Sequence, residues 1–142
     1  MMAGYSGTPL PQKLGIKEGH RIATLGAPKA FEKTLGKLPA AVTMKSALDG
    51  KDLFDVIVLF VTWQKDLAAR FAPTAKRLHP AGGLWIAWPK KASGVLTDVT
   101  ENTVRKVALA AGLVDVKVCA IDDVWSGLRC VVRVADRPKK KS

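Results

Sequence analysis

The sequence predicts a three-layer α/β domain with a mostly parallel sheet and an antiparallel hairpin at the C-terminus. Residues 54–61 form a near-continuous apolar run with β-branched side chains, which is typical of a central parallel strand covered on both faces. Other strand patterns alternate with helical patterns, and this alternation favours parallel strands joined by right-handed crossovers. The last two strand patterns, residues 114–122 and 128–134, follow each other directly, as in a hairpin.

The N-terminal half begins with an amphipathic lead-in at residues 10–16 and a first strand predicted over residues 20–25. Pro28 is well placed in the first turn of a short helix that carries Phe31 and Leu35, because its missing N–H would be unpaired there. A weak second strand is predicted over residues 42–48, before a turn that leads into the central strand.

After the central strand, apolar side chains recur at three- to four-residue spacing from Leu67 to Leu78, which predicts a helix. Pro73 lies within this pattern and is expected to kink the helix or split it in two. A strand over residues 83–88 follows. The chain thereby continues the alternation of strands and helices.

A cap predicts the start of the last helix, since Asp98 is followed three residues later by Glu101. The apolar stripe of this helix consists of Val104, Val107, Ala108 and Ala111. The tight segment 123–127 is expected to join the last two strands, which would add one antiparallel edge strand to the sheet.

Length, composition and charge are those of one basic domain. The chain has 142 residues, of which 48% are hydrophobic and 25% charged, so we expect a single α/β domain over residues 1–136 and a basic tail over residues 137–142. The formal net charge is +11. Four positive charges lie in the tail, at Arg137, Lys139, Lys140 and Lys141. Such a surplus attracts nucleic acid, anionic headgroups or phosphorylated ligands.

Neither a membrane span nor a secretory signal is predicted. The longest unbroken apolar run, residues 56–61, is far shorter than the roughly 20 residues of a spanning helix. Residues 1–10 lack the basic start and apolar block of a secretory signal. These features predict a cytoplasmic protein that does not bind membranes.

Cysteine and histidine are too few and too scattered for a predicted metal site. Cys119, Cys130, His20 and His79 form no cluster at zinc spacing, so no metal ion is expected. The two cysteines fall in consecutive predicted strands, where they either face each other across the hairpin or are simply small buried residues. A reducing cytosol favours the second interpretation.

Three short patterns occur along the chain, at Leu14-Gly15-Ile16 with Gly19 and Ile22, at residues 78–84 and at Ala110-Ala111-Gly112-Leu113, and their order resembles that of Rossmann-like methyltransferases that use S-adenosylmethionine. Leu14-Gly15-Ile16 with Gly19 and Ile22 resembles the entry to their first strand. Residues 78–84, Leu-His-Pro-Ala-Gly-Gly-Leu, resemble the Pro-Gly-Gly turn before their fifth strand, and Ala110-Ala111-Gly112-Leu113 resembles the turn into their terminal hairpin. The resemblance implies a Rossmann-like, methyltransferase-like fold over most of the chain.

The chain departs from this resemblance where the cofactor would bind. Those enzymes end the first strand with an acidic residue and a glycine-rich turn, whereas Thr24-Leu25-Gly26-Ala27-Pro28 has one glycine, no acid and a proline without a backbone donor. Asp49 is the candidate replacement for the acidic group that the family uses on the ribose, although an Asp before Gly more often marks a turn. The sequence therefore does not identify a cofactor for this chain.

Longer matches point to a different grouping. They are the opening Ala3-Gly4-Tyr5-Ser6-Gly7-Thr8-Pro9-Leu10, then Trp88-Pro89-Lys90-Lys91-Ala92-Ser93-Gly94, and Trp125-Ser126-Gly127-Leu128-Arg129. On these residues the chain resembles a bacterial domain-of-unknown-function family, number three-zero-five-two. The resemblance covers nearly the full chain and implies a fold and a grouping, but no activity.

Ligands of open parallel sheets bind beyond the carboxyl ends of the strands. Residues 26–28, 62–63, 88–94 and 122–127 follow predicted strands and are expected to converge there. The candidate ligand-binding residues are Gly26, Trp63, Trp88, Lys90, Lys91, Ser93, Trp125 and Ser126. Tryptophan faces and lysines together suit a nucleotide or single-stranded nucleic acid. The alternative is that the tryptophans pack over the sheet edge and the lysines are solvated.

Catalysis has less support, and no catalytic residue is identified. No histidine is predicted at the carboxyl edge, so a Ser-His-Asp arrangement around Ser93 or Ser126 lacks its base. The preferred hypothesis is a non-catalytic binding module for an anionic, nucleotide-like or nucleic-acid ligand. The alternatives are a divergent S-adenosylmethionine-dependent methyltransferase and general nucleic-acid association through the net charge and the tail.

Overall fold

The computed structural model of the protein describes residues 8–137. It contains one six-stranded sheet, against which the helices pack. The strands are β1 (Arg21–Leu25), β2 (Thr43–Lys45), β3 (Phe54–Phe60), β4 (Leu78–Pro89), β5 (Leu113–Ala120) and β6 (Trp125–Val132). The α-helices are α1 (Leu10–Lys13), α2 (Phe31–Leu35), α3 (Gln64–Ala75) and α4 (Glu101–Ala110), and 3-10 turns lie at Lys91–Ser93 and Val134–Asp136. Within the described range no helix is long and apolar enough to cross a bilayer. The tail beyond Arg137 and the N-terminal pattern before Thr8 lie outside the described residues.

The strand order is β2-β1-β3-β4-β6-β5. The first four strands in this order are parallel, whereas β6 runs antiparallel to both β4 and β5. The predicted fold class, a mostly parallel sheet with a C-terminal antiparallel hairpin, is confirmed. Contrary to the prediction, the antiparallel strand does not lie at the edge. Leu128 and Cys130 make β6 the more deeply buried strand of the hairpin, so it takes the interior position and β5 forms the edge.

Helices cover both faces of the central strands, as the long apolar run predicts. Ile57, Leu59, Leu84 and Ile86 face the side chains of α3 and α4, on what we call the α3–α4 face. Val56, Val58, Phe60 and Trp85 point the opposite way, on the α1–α2 face. All eight side chains are buried, so β3 and β4 form the middle of a three-layer core.

β4 begins earlier than predicted, at Leu78. Phe54 pairs with Leu78 and Val56 pairs with Gly83, so β4 bulges between these two pairs. Pairing with Phe54 draws Leu78 into the sheet, and its assignment to the preceding helix is wrong. Helix α3 is one helix that contains Pro73 close to its end, where the missing N–H removes only one helical hydrogen bond.

Two helix caps differ from the sequence prediction. Thr100, and not Asp98, caps α4, and its hydroxyl accepts the N–H of Thr103 at 3.2 Å. The Asp98 carboxylate instead accepts the N–H of Gln64 at 2.7 Å, in the first turn of α3, where the helix dipole favours a negative charge. Ala111, predicted on the apolar stripe, is exposed at the C-cap of α4.

The hairpin loop is also shorter than the predicted segment 123–127. β6 begins at Trp125, so residues 121–124 make the connection. Asp122 explains the tight turn, because its Oδ1 accepts the N–H groups of Val124 and Trp125 at 2.8 Å each. The chain therefore reverses soon after β5 ends.

Trp85 fastens the N-terminal segment to the sheet. Its side chain is fully buried on the α1–α2 face, and its indole Nε1–H donates a 3.0 Å hydrogen bond to Leu14 O, 71 residues earlier. Leu14 directly follows α1. A buried indole N–H requires an acceptor, so this bond holds α1 in place over the sheet.

We predict that Trp85→Phe lowers the free energy of unfolding by about 2–3 kcal/mol, because Leu14 O loses its donor and the smaller ring leaves space. Urea unfolding measures the effect. Trp63→Phe is the matched control, since Trp63 is 41% exposed and its replacement is expected to be nearly neutral. Equal losses in the two variants would contradict this role of Trp85.

Candidate functional site

The loops that follow β1, β3, β4 and β5 meet at the carboxyl edge of the sheet, because these four strands share one direction. Two contacts join neighbouring loops there. The N–H of Lys90 donates to Val124 O at 2.7 Å, and the hydroxyl of Thr97 donates to Thr62 O. The structure thus brings the predicted segments to one edge.

The three tryptophans predicted for this edge do not form one stacking surface. Trp88 is only 6% exposed and packs in the core of the α3–α4 face. Trp125 lies against the α1–α2 face, where it meets Phe60 edge to face at 5.0 Å between ring centroids. Trp63 is exposed at the N-cap of α3. The alternative interpretation, that tryptophans pack over the sheet, therefore holds for Trp88 and Trp125.

The predicted serines and lysines also separate into different roles. The hydroxyl of Ser93 donates to Lys90 O at 2.6 Å and accepts the N–H of Val95 at 3.2 Å, so it closes the 3-10 turn. Ser126 lies within β6, paired with Trp88. Lys91 is exposed, while Lys90 is half-buried. Lys90 alone among these residues lines a large concave surface.

Gly26 turns the chain at the end of β1 with a φ of +69°, a conformation that favours glycine. A Cβ placed on Gly26 would lie 3.1 Å from Phe60 O and 3.6 Å from Arg70 Nη1. Pro28 precedes α2 and does not lie in its first turn, because the N–H of Phe31, the first helical residue, bonds to Pro28 O. The carbonyl of Phe60 and the guanidinium of Arg70 therefore flank the turn at Gly26.

Asp49 does not reach the carboxyl edge. The segment around it runs along the amino end of β4, where Arg77 Nη2 donates to Asp49 O at 3.1 Å and Arg77 Nη1 donates to Leu48 O at 2.6 Å. Residues 26–30 carry Lys29 and no acid. A cofactor with sulfonium and ammonium cations needs acidic partners, so the residues at this turn do not fit S-adenosylmethionine.

A cleft of about 750 Å³, which we call the carboxyl-edge cleft, opens beside this edge on the α1–α2 face. Residues near α1, the end of α2 and the β5–β6 loop form its walls. Its cationic side chains are Lys13, Lys33, Lys37 and Lys90, and its apolar side chains include Leu10, Leu35, Ile121 and Val124. The arrangement suits a ligand with an apolar body and negative charge.

Of the four lysines of the cleft, only Lys90 was predicted from the sequence, and the other three were not. They lie on segments remote from Lys90 in the chain, and only the sheet topology brings them together. The four-residue spacing of Lys33 and Lys37 was the one available signal, and it is equally typical of a solvated helix. Of the two acidic residues in the wall, Asp122 already accepts two backbone N–H groups. Four lysines against two aspartates leave the lining of the cleft with a net positive charge.

The cysteines do not face each other across the hairpin. Cys119 pairs with Gly127, and Cys130 pairs with Asp115. Burial raises the pKa of the Cys130 thiol to about 12, and nearby Asp115 adds to this shift. Burial also raises the pKa of the half-buried Cys119 thiol. Among residues 8–137, no three His, Cys, Asp or Glu side chains converge as metal ligands would.

Comparison with known proteins supports the fold. A family model described as "Protein of unknown function (DUF3052)" matches residues 11–134. No curated protein sequence matches the chain. The structure is similar to a S-adenosylmethionine-dependent methyltransferase from Aquifex aeolicus, with 14% identity, a TM-score of 0.63 and coverage of 92% of this chain and 91% of that one.

Two further solved structures share the fold. The ribosomal protein L11 methylase from Lactobacillus delbrueckii subsp. bulgaricus is 12% identical, with a TM-score of 0.60 and coverage of 87% of this chain and 75% of its own. Magnesium protoporphyrin IX methyltransferase from Synechocystis PCC 6803, with bound S-adenosylhomocysteine, is 11% identical, with a TM-score of 0.56 and coverage of 82% and 75%. At these identities the likeness establishes a methyltransferase-like fold.

We predict that iodoacetamide alkylates Cys119 before Cys130 in the folded protein, and both more slowly than free cysteine. The raised thiol pKa values lower the fraction of reactive thiolate at mildly alkaline pH, and the larger shift belongs to the more buried Cys130. Peptide mass spectrometry over time measures the order. Denaturing guanidinium chloride should remove the difference, and faster labelling of Cys130 in the folded state would contradict its burial.

Proposed function

The chain belongs to the DUF3052 family of proteins of unknown function, and from its geometry we propose that it is a non-catalytic module that binds a nucleotide-like anion in the carboxyl-edge cleft. One observation carries the proposal: four lysines from three separate segments line a single cleft that also has an apolar wall. The methyltransferase-like fold supplies the scaffold.

Charge and shape support this class of ligand. A volume of about 750 Å³ lies in the range of small-molecule sites, which combine an apolar lining with a few polar groups. The half-buried side chains of Leu10 and Val124 offer contact to a base or another flat apolar group. Lys33 and Lys37, at the end of α2, are available to the phosphate groups, because neither makes an ion pair with another described residue.

The composition of the cleft supports binding over catalysis. Among the described residues that line it there is neither a histidine nor a cysteine, the usual general base and the most readily activated nucleophile. The carboxylate of Asp122 is engaged in the turn that begins the hairpin. We therefore propose a capture role for this surface.

Catalysis by a divergent methyltransferase is the second candidate, and the fold of the relatives favours it. The surroundings of Gly26 weigh against it, because the turn lacks an acidic partner and Arg70 stands beside it. Calorimetric titration with S-adenosylmethionine separates the two candidates. Saturable binding that Arg70→Glu alters would support the methyltransferase, and no heat of binding at millimolar cofactor would remove it.

We predict that the double substitution Lys33→Gln and Lys37→Gln weakens the binding of adenosine monophosphate by about tenfold or more, because two charge-assisted contacts are lost. Titration monitored by calorimetry measures the change. The charge-matched control is Lys65→Gln with Lys106→Gln, which replaces two exposed lysines of α3 and α4 that do not line the cleft.

The control also tests general nucleic-acid association. If affinity depends only on net charge, both double variants lose the same affinity for adenosine monophosphate and for short single-stranded RNA. That result, or no saturable binding of nucleotides by the wild type, would contradict a specific role of the cleft. A selective loss in the Lys33/Lys37 variant would support it.

A further inference from the structure

A second cavity, of about 420 Å³, lies at the opposite end of the sheet, and we call it the amino-edge cavity. His20 precedes β1, Asp55 lies near the start of β3, and His79 lies near the start of β4. Gln12 and Gly15 close it from the N-terminal segment. It is therefore remote from the carboxyl ends where the loops of the parallel strands converge.

Arg129 of β6 lies in this cavity without a partner. Its Nε is buried and has no hydrogen-bond partner among the described residues, and none of its guanidinium nitrogens forms an ion pair with them. Burial lowers the pKa of the Arg129 guanidinium, and the positive charge of Arg137 adds to this shift. A partly buried cation without hydrogen bonds is costly, and an unpaired group of this kind calls for a water or an ion.

The guanidinium of Arg129 packs closely against the backbone of β4 at Gly83. A Cβ placed on Gly83 would collide with Arg129 Nε, and would lie 2.9 Å from both Cζ and Nη2. The planar group therefore occupies the space in which any other residue at position 83 would carry its side chain. Trp85 pairs with Arg129 across the two strands and lies on the same face. Both neighbours restrict the position of Arg129.

The rest of the lining offers donors to an anion. Lys13, Lys17 and Lys117 bring three further positive charges, and Lys117 pairs directly with Arg129 in the sheet. Asp55 is the one acidic residue in the lining, and its Oδ2 already accepts the N–H of Arg21 at 2.8 Å. The cavity thus has an excess of positive charge, with its carboxylate already in use.

Backbone hydrogen bonds to the two histidines of the lining leave each ring with one N–H donor. His20 Nδ1 accepts the N–H of Lys17 at 3.1 Å, and His79 Nδ1 accepts the N–H of Ala81 at 3.1 Å. A neutral imidazole that accepts at Nδ1 carries its proton on Nε2. Each ring is therefore left with an N–H group for a ligand oxygen.

We propose that the amino-edge cavity is a binding site for a phosphate group, either free phosphate or the end of a phosphate monoester, with Arg129 as its central contact. A phosphate dianion offsets most of the excess positive charge, and its oxygens accept from a planar guanidinium, ammonium groups and imidazole N–H groups. Metal cations are repelled by the same lining. The cavity is larger than phosphate itself and leaves room for the organic part of a monoester.

The test uses the full chain, titrated with inorganic phosphate and separately with methyl phosphate at constant ionic strength. The ¹H–¹⁵N signals of the Arg129 Nε–H and of the Gly82 and Gly83 amides report on the cavity, and calorimetry gives the affinity. We expect saturable shifts at these positions and a higher melting temperature with phosphate present. Binding of both probes indicates a monoester site, and binding of inorganic phosphate alone indicates a free-phosphate site.

Arg129→Gln is expected to weaken binding by about tenfold or more, whereas Arg133→Gln, which removes the same charge from an exposed arginine outside the cavity, leaves it unchanged. Lys117→Gln, at an exposed position of β5, is a milder variant that keeps the test valid if Arg129→Gln does not fold, and is expected to weaken binding about threefold. Shifts that do not saturate, or equal losses in the Arg129 and Arg133 variants, would overturn the proposal.

Discussion

One buried hydrogen bond, from the indole of Trp85 to Leu14 O, determines where the N-terminal segment lies on the sheet. An indole N–H left without an acceptor in the core costs about 1–3 kcal/mol, so α1 does not lift from the sheet without that loss. The same segment forms a wall of both cavities. Leu10 lines the carboxyl-edge cleft, Gln12 lines the amino-edge cavity, and Lys13 lines both. The two candidate sites therefore depend on the same contact.

The fold class follows from local signals, because the long apolar run of β3 and the alternation with helices have few other solutions. Two of the details that failed depend on partners remote in sequence. The spacing of apolar residues predicts Leu78 as the end of a helical stripe, and only its pairing with Phe54 makes it a strand residue. Asp98 has the spacing of a cap for α4, yet the closer donor is Gln64 of α3, 34 residues away. Tertiary contacts decide between local options that are nearly equivalent.

The sequence predicts the edge of the sheet at which the candidate site lies, but not the side chains that line the site. Strand direction places the loops after β1, β3, β4 and β5 together, and this much can be derived from the sequence. The faces of the tryptophans depend on strand register, because Trp88 pairs with Ser126, and Trp125, the residue before Ser126 in β6, then points to the opposite face. The lysines of the cleft meet through topology alone. A sequence pattern therefore locates the edge better than it identifies the side chains that line it.

The packing of Arg129 against Gly83 couples two positions that are remote in the sequence. Because the guanidinium occupies the space of a Cβ at position 83, a side chain there and an arginine at position 129 in this pose exclude each other. Gly83 can be replaced only if Arg129 is also replaced or moves away, whereas Arg129 can be replaced while Gly83 stays. Covariation of these two positions among homologous sequences would be the evolutionary signature of this steric constraint.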